Sequence, residues 1–567
     1  MKKKSLSMLL VVAMSASLLA GCGGEANNNT SSSVEQSGTK TESKTDSGTP
    51  AASTATEESG AKTKYPRNEQ GYPDLQGETI TIWHVLTGGN AQITNDLGEY
   101  AVIKDLEEKF NVNIEFVHPP IGQEQDNFAV MMAGNELPDM IFCGGIDSYY
   151  PGGVEMAYAD GLLFDYTEYI NEEYTPNFYN LISNDEFLRR SVTDDQGRIV
   201  YLGAKICGSE TSDFNYSGLL IRQDYLDQAG LEVPQTIDDW TNMLQAFKDM
   251  GVKYPLGTPK SGGAGNFFSN EVFSSAYGVS AGNYFIKEDG NVGFGPYEDA
   301  YKDYLALLNS WYEAGYINPD FPTQSESDVM ATVSNDETGS VIMHLWSYGA
   351  YYYIVTEEAN PDKAMVAAPV PTLKAGDALA PIRRSSRSLG DKKYITADAK
   401  NPEACIALLD ALYLTDIDEM LGNGVKGVNW DIVDGYITIT DMPEDASIER
   451  QLQGIPQQWH TTEDTDRERI LNAKYNMGTQ DEALVLWAEQ GSDRSFSNFV
   501  MYTEAESDVL SQYESDITTF VQENFLKFVM GQRPIDEFEQ FQQELKDLHI
   551  EDVIAIKDAA QKRVSER

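Results

Sequence analysis

Glu78-Thr-Ile-Thr-Ile-Trp83-His84 is the stretch from which the fold is read. Polar and apolar residues alternate and β-branched residues dominate, which predicts a strand with one face toward a core. Downstream, a loop carries Gly88-Gly89, and Ala101, Ile103, Leu106 and Phe110 recur near helical spacing over Tyr100 to Phe110. Asn113-Ile-Glu-Phe-Val117 predicts a second strand, Asn127 to Gly134 a second helix and Asp139-Met-Ile-Phe142 a third strand. Strand, helix, strand, helix, strand is the pattern of a parallel sheet covered by helices, so the first part of the chain is α/β.

The alternation resumes with a strand at Ser217–Ile221 and a helix at Arg222–Ala229. Thr236 is a good N-cap for a helix over Asp239–Met250, with Asp238 and Asp239 in the first turn where the helix dipole favours anions. Strands are expected at Gly339–Trp346 and Ala364–Val370, and a helix from Asn401 to about Leu414. Val509–Phe528 and Ile535–Lys562 read as helical throughout. There is no internal repeat of fixed period.

The chain has 567 residues, 41 Lys and Arg against 90 Asp and Glu, and a formal charge of −49. That excludes recognition of DNA or RNA through phosphate neutralisation, since no concentrated basic patch offsets the charge. Hydrophobic residues at 41% and aromatics at 11% supply a large core and exclude disorder of the whole chain.

Lys2, Lys3 and Lys4 precede the apolar run Leu6–Ala20, a charged region and a hydrophobic region too short for a membrane span. Residues 1–21 are therefore expected to be a secretion signal, and Leu19-Ala20-Gly21-Cys22 resembles a bacterial lipobox, with Cys22 acylated. Residues 22–74 form the lipidated cysteine and a linker. From Gly23 to Lys64 this linker lacks any aromatic residue and is too polar to offset its ordering entropy by burial. About 40 flexible residues span on the order of 35 Å. The expected location is the outer face of the cell membrane, held by lipid, and the glycines after Cys22 and the tether length resemble Gram-positive lipoproteins. Cys143, Cys207 and Cys405 are an odd set without a CxxC, which argues against a disulfide framework and points to buried small hydrophobes.

Several segments together carry a family resemblance: Asn135-Glu-Leu-Pro138-Asp139-Met, Leu220-Ile-Arg222-Gln-Asp224-Tyr225-Leu, Gly230-Leu-Glu-Val-Pro234 with Asp239-Trp240, Glu337-Thr-Gly339-Ser-Val-Ile-Met, Asn401-Pro402-Glu403-Ala-Cys and Gly531-Gln-Arg-Pro534. In this order and spacing the chain resembles extracellular solute-binding proteins of ABC importers, in the carbohydrate-binding group that includes LplA-like lipoproteins. The resemblance implies a two-lobed, periplasmic-binding-protein-like α/β fold with hinge crossings and a helical C-terminal region. Lobe one would comprise residues 75–205 plus 380–445, and lobe two 206–379 plus 446–567. Closure of the lobes on ligand is the motion it implies.

A sugar offers hydroxyl edges and apolar CH faces, so its site pairs aromatic platforms with directed hydrogen-bonding groups. Ligands of open α/β sheets collect at strand carboxyl ends. That rule selects Trp83 and His84 after the first strand, and Trp346 and Tyr348 after the strand from Ser340; the resemblance places a sugar-stacking Trp at position 346. Asp139, Phe267, Phe268, Arg383, Arg384 and Trp430 complete the candidate ligand-binding set. Trp240 and Trp311 lie within amphipathic helix patterns and are expected in the core.

Three motifs are decoys. Gly422-Asn-Gly424-Val-Lys-Gly427 follows a helix and precedes a strand-like segment, the reverse of a dinucleotide site. Gly278-Val-Ser280-Ala-Gly282 follows a helical reading at Asn270–Tyr277 and precedes the strand-like Tyr284-Phe-Ile, the reverse of a nucleophile elbow. The histidines at 84, 118, 344, 460 and 549 show no metal-ligand spacing, and no EF-hand pattern occurs. No cofactor and no metal are expected. The expected role is capture of an oligosaccharide and its delivery to an ABC permease, as a monomer touching the membrane through lipid only. The alternatives are a secreted glycosidase with two carboxylates, or a binding protein for a peptide or other polar solute.

Overall fold

The computed structural model describes residues 63–567 except 87–93, 135–136, 208–216, 261–265, 358–359, 378–387, 428–429, 434–435, 440–458, 460, 462–481, 484, 488, 491–493 and 498, all within the compact unit Lys62–Arg567. The signal, Cys22, most of the tether, Arg383 and Arg384 lie outside the described residues, and only the backbone of Trp346 and Trp430 is described.

The strands, in chain order, are β1 Glu78–His84, β2 Val112–Val117, β3 Met140–Gly144, β4 Lys205–Cys207, β5 Ser217–Arg222, β6 Leu256–Gly257, β7 Tyr284–Ile286, β8 Val292–Phe294, β9 Ser340–His344, β10 Met365–Ala368, β11 Ser388–Gly390, β12 Lys392–Ile395, β13 Trp430–Val433 and β14 Tyr436–Ile439. The first sheet has the order β12-β3-β1-β2. β1 is parallel to both neighbours, with Ile80 opposite Ile114 and Ile82 opposite Met140, while β12 joins β3 antiparallel. Early in β1, Ile80 is buried and Thr79 exposed; Ile82, Trp83 and His84 are all buried, because the carboxyl end of the strand is covered on both faces. Helix Ala101–Phe110 supplies Val102, Ile103, Leu106 and Phe110 to this core and stops at Asn111, whose left-handed backbone is a normal helix stop.

The second sheet has the order β10-β5-β9-β6. Here β5 runs antiparallel to both β9 and β10 while β6 joins β9 parallel, so the sheet is mixed rather than wholly parallel. The physical reason is that β5 enters from the other core rather than through a helical crossover in its own sheet, and the βαβ rule places no constraint on it. Leu219, Ile221 and Ile342 face one apolar cluster, and Leu220, Val341 and Met343 face another. Burial on both faces accounts for the unbroken apolar run in β5. Helix Ile237–Asp249 begins at Thr236, whose hydroxyl accepts from Asp239 N–H while the Asp239 carboxylate accepts from Thr236 N–H, a reciprocal cap.

One core gathers residues from Tyr65 to Ile206 and Tyr394 to Leu421, with Trp459 and Met501. The larger cluster of the second sheet gathers residues from Leu219 to Val370 and Leu510 to Val553. The chain passes between these groups between Cys207 and Ser217, between Thr372 and Ser388, between Thr461 and Ala483, and again on either side of Met501. Helix Glu504–Val529 and the two that follow pack on the second core. The expected unbroken helix over 535–562 is interrupted: Phe538–Asp547 and Ile550–Glu566 meet at Leu548-His549, where His549 has φ +65°. The bend lets Phe541 and Leu545 on one side, and Ile550 and Val553 on the other, reach the same core. The helix expected over 270–277 is a single 3-10 turn, Ser274–Tyr277, held by the loop hydrogen bonds of Asn270 and Glu271.

Candidate functional site

Because β1, β2 and β3 are parallel, His84, Val117 and Gly144 end on one edge of the sheet, where ligands of α/β sheets are held. An aromatic cluster is packed there. The His84 ring lies 5.6 Å from Phe142, 6.1 Å from Phe116, 6.1 Å from His118 and 6.4 Å from Trp459, to which it is stacked at 7°. Trp459 comes from far along the chain and is fixed by its neighbour Thr461, whose N–H and hydroxyl donate to Asp418 Oδ1 and Leu412 O at 2.5 and 3.0 Å and whose carbonyl accepts from Ile206 N–H at 2.7 Å. The tautomers follow from the contacts: His118 Nδ1 donates to His84 O at 2.8 Å while its Nε2 accepts from Leu97 N–H, and His84 Nδ1 donates to Val85 O at 2.8 Å. His84 Nε2 is therefore a bare acceptor. It and the donor Nε1–H of Trp459 are both buried without partners.

Burial, with repulsion from His118 and Lys393, pushes His84 down to about 3, so its ring is neutral at any physiological pH. Burial likewise lowers Lys393, to about 8. Its ammonium lies 5.5 Å over the Phe142 ring and donates to Gly203 O and Asp391 O at 2.5 and 3.1 Å. His84, Phe142 and Trp459 are closed to solvent, so the rings form a packed aromatic cluster under the strand ends, with one acceptor and one donor left over inside it.

Trp83 points the other way from His84, as strand alternation requires. It is fully buried, 5.5 Å from Phe128 and 5.6 Å from Tyr149, and its Nε1 donates to Asn127 Oδ1 at 2.9 Å. Asp139 is also interior: Oδ2 accepts from Thr81 N–H at 2.8 Å and its hydroxyl at 2.6 Å, and Oδ1 from Lys400 N–H at 2.7 Å. Both residues serve the sheet rather than an open surface, in contrast to their expected place among ligand contacts. Phe267 is in the core, 6.2 Å from Phe321 and 6.4 Å from Phe273, and half-buried Phe268 lies 5.5 Å from Phe525.

At the second sheet β9 ends at His344, two residues earlier than expected, and the chain turns at once into the helix Leu345–Tyr348, which carries Trp346. Tyr348 is fully buried; its hydroxyl donates to Glu357 Oε2 at 2.5 Å and its ring is 6.0 Å from Tyr352. Burial raises the Glu357 carboxyl. Trp430 opens β13, paired antiparallel with β14.

A separate cavity of about 630 Å³ lies beside the β7–β8 hairpin, lined among others by Tyr277, Phe285, Lys287, Glu298, Arg494 and Glu551, and none of the sequence candidates lines it. Ser280 is buried and its hydroxyl donates to Glu271 Oε1 at 2.8 Å, and Gly424 follows the helix Thr415–Asn423 as a stop. Among the described residues no three His, Cys, Asp or Glu side chains are grouped to hold a metal, and no helix is long and apolar enough to cross a membrane.

His84 was singled out from the sequence as a strand-end residue, while its ring neighbours Phe116, His118, Phe142 and Trp459 and the nearby Lys393 were not. Phe142 was legible as the last apolar residue of its predicted strand, and Phe116 as the residue before Val117 at the end of another. Trp459 sits in no periodic pattern, and no sequence signal marks it.

The described chain is built on two helix-covered sheets, each with its own apolar core. The chain belongs to the bacterial extracellular solute-binding protein family, whose model matches residues 90–419. It is similar to the lipoprotein LipO of Bacillus subtilis, 23% identical over 451 residues covering 77% of this chain and 83% of LipO. It is similar as well to the polygalacturonan/rhamnogalacturonan-binding protein YtcQ of the same organism, 20% identical over 58% of this chain and 63% of YtcQ. In fold it matches the S. pneumoniae ABC-transporter substrate-binding protein FusA solved in complex with kestose, at a TM-score of 0.66 and 17% identity, over 86% of this chain and 99% of that one.

Proposed function

We propose that this protein is the membrane-anchored, extracellular receptor of an ABC importer, capturing an oligosaccharide between two lobes and delivering it to the permease. The observation that carries the reading is the family membership, which spans residues 90–419. The names of YtcQ and of the FusA complex support a saccharide as cargo. Lobe one would be residues 75–205 plus 380–445 and lobe two 206–379 plus 446–567, with Trp459 and Met501 reaching back into the first core. Trp346, Trp430, Arg383, Arg384 and Phe268 are the candidates assigned to the cleft itself, with His84 at its floor. Cys22 would carry the lipid, and the catalytic step is absent: ligand stabilises the closed form by its higher affinity for that form.

A thermal-shift screen against oligosaccharides, including kestose and oligogalacturonates, tests this. A cognate sugar raises the melting temperature with the logarithm of its concentration. Shifts by peptides and by no saccharide would overturn the cargo, and release of reducing sugar would replace the receptor by a glycosidase.

A further inference from the structure

The last helix, Ile550–Glu566, is anchored in the second core by Ile550 and Val553, and Lys557 Nζ is 2.8 Å from Glu514 of helix Glu504–Val529. Further along, the same helix meets the other core. Arg563 Nε donates to Asp195 Oδ2 at 2.6 Å, and Arg567 Nε to Asp195 Oδ1 at 2.7 Å, so one carboxylate is shared oxygen by oxygen between two guanidiniums. Asp195 sits in the turn closed by the Thr193–Ile199 bridge, between Val192 and Ile199 of the first core.

The arginines are aimed. Arg563 grips both oxygens of Glu506 at 2.9 and 2.6 Å and donates to Met501 O at 2.9 Å; Arg567 donates to Phe499 O at 2.9 Å. The Asp195 side chain is 15% exposed and those of Arg563 and Arg567 are 27% and 6% exposed, so water screens the pairs only in part. Apolar contact at the junction includes the edge-on pair Phe187 and Phe499, 5.5 Å apart.

Met501 aside, which lies in the first core, the contacts described at this junction are shared charges and an edge-on aromatic pair, and such contacts are reversible. On separation Asp195 returns to water, while Arg563 keeps Glu506 and Met501 O and Arg567 keeps its hydrogen bond to Phe499 O. We propose that Asp195, Arg563 and Arg567 form a releasable latch between the two cores, which sets the fraction of ligand-free molecules held in the joined arrangement. The inference rests on the two-lobe reading above. A ligand then works against, or with, an equilibrium that this latch has already biased.

The test is a distance distribution by electron–electron resonance in the full chain, with spin labels on non-natural residues at exposed Lys104 and Glu232. Asp195→Asn is expected to raise the population at altered distance about fivefold, the scale of one partly exposed ion pair. Arg567→Gln moves it in the same direction, and the double variant adds little to Asp195→Asn. Lys562→Gln, which loses a pair to Asp558 within the helix and a 3.5 Å hydrogen bond to Asn291 but touches neither Asp195 nor the arginines, leaves the distribution unchanged. A distribution for Asp195→Asn and Arg567→Gln that superimposes on the parent overturns the latch. If kestose or an oligogalacturonate then still shifts the parent, the two-lobe reading stands without it; if nothing shifts any form, both fall.

Discussion

Replacing Asp139 by alanine separates a structural from a ligand-binding carboxylate. The side chain is 3% exposed and accepts three hydrogen bonds, from Thr81 N–H, Thr81 Oγ1–H and Lys400 N–H, at 2.6 to 2.8 Å. Bonds to a charged acceptor contribute about 1.5 kcal/mol or more each, and the alanine strands the half-buried amide of Thr81 beside an apolar methyl. The exposed position of Lys400 holds its share at the low end. Together the expected loss is about 4 kcal/mol for Asp139→Ala, and roughly half of that for Asp139→Asn, whose amide oxygen retains part of the set. Urea unfolding followed by tryptophan fluorescence measures the loss, and titration with the sugar found by the thermal screen measures affinity. The expected outcome is a much lower midpoint with affinity within about threefold of the parent wherever the variant is folded, the scale of an indirect effect. A destabilisation below about 1 kcal/mol combined with abolished binding would refute the reasoning and return Asp139 to the ligand shell.

Two further substitutions probe the packing and electrostatics. Glu155 is pushed up to about 7 from its ordinary 4.5, by burial and the carboxylates of Asp194 and Asp195, with Arg198 and Arg567 opposing. A carboxyl that binds its proton more tightly when folded makes stability fall as pH rises from about 4.5 to 7 and level off above, a total of about 3 kcal/mol. Glu155→Gln should flatten that part of the pH profile in chemical unfolding and raise stability at pH 8; an unchanged slope removes Glu155 as its source. In β5, a Cβ on Gly218 would lie 2.2 Å from the indole of buried Trp487, whose Nε1 is tied to Ala368 O at 3.0 Å. Gly218→Ala should therefore cost about 3 kcal/mol, with part recovered by adding Trp487→Leu; a cost below about 0.5 kcal/mol in urea unfolding contradicts the close contact.

Much of the local structure was written in periodicity. The strand at Glu78–His84 and the helix ending at Phe110 carry their own patterns, and Thr236 with Asp239 announces its helix start. Direction in the second sheet was not legible, because an apolar run such as Leu219–Ile221 reads the same whether its neighbours are parallel or antiparallel. The strand-end rule points to the sheet edge where His84 lies, yet it could not tell which of two successive residues faces the aromatic cluster. Trp83 and His84 differ by one position and therefore by a face, and it is His84 that joins Phe116, Phe142 and Trp459. Pairings such as Asp195 with Arg563, 368 residues apart, leave no local trace at all.

Isothermal titration of the protein with the selected oligosaccharide, followed by mass analysis of the recovered sugar, bears most directly on the receptor assignment. The account predicts one saturable site per chain and a ligand recovered at its original length. Heat from peptides but from no saccharide, or recovery of shortened sugar, would contradict it.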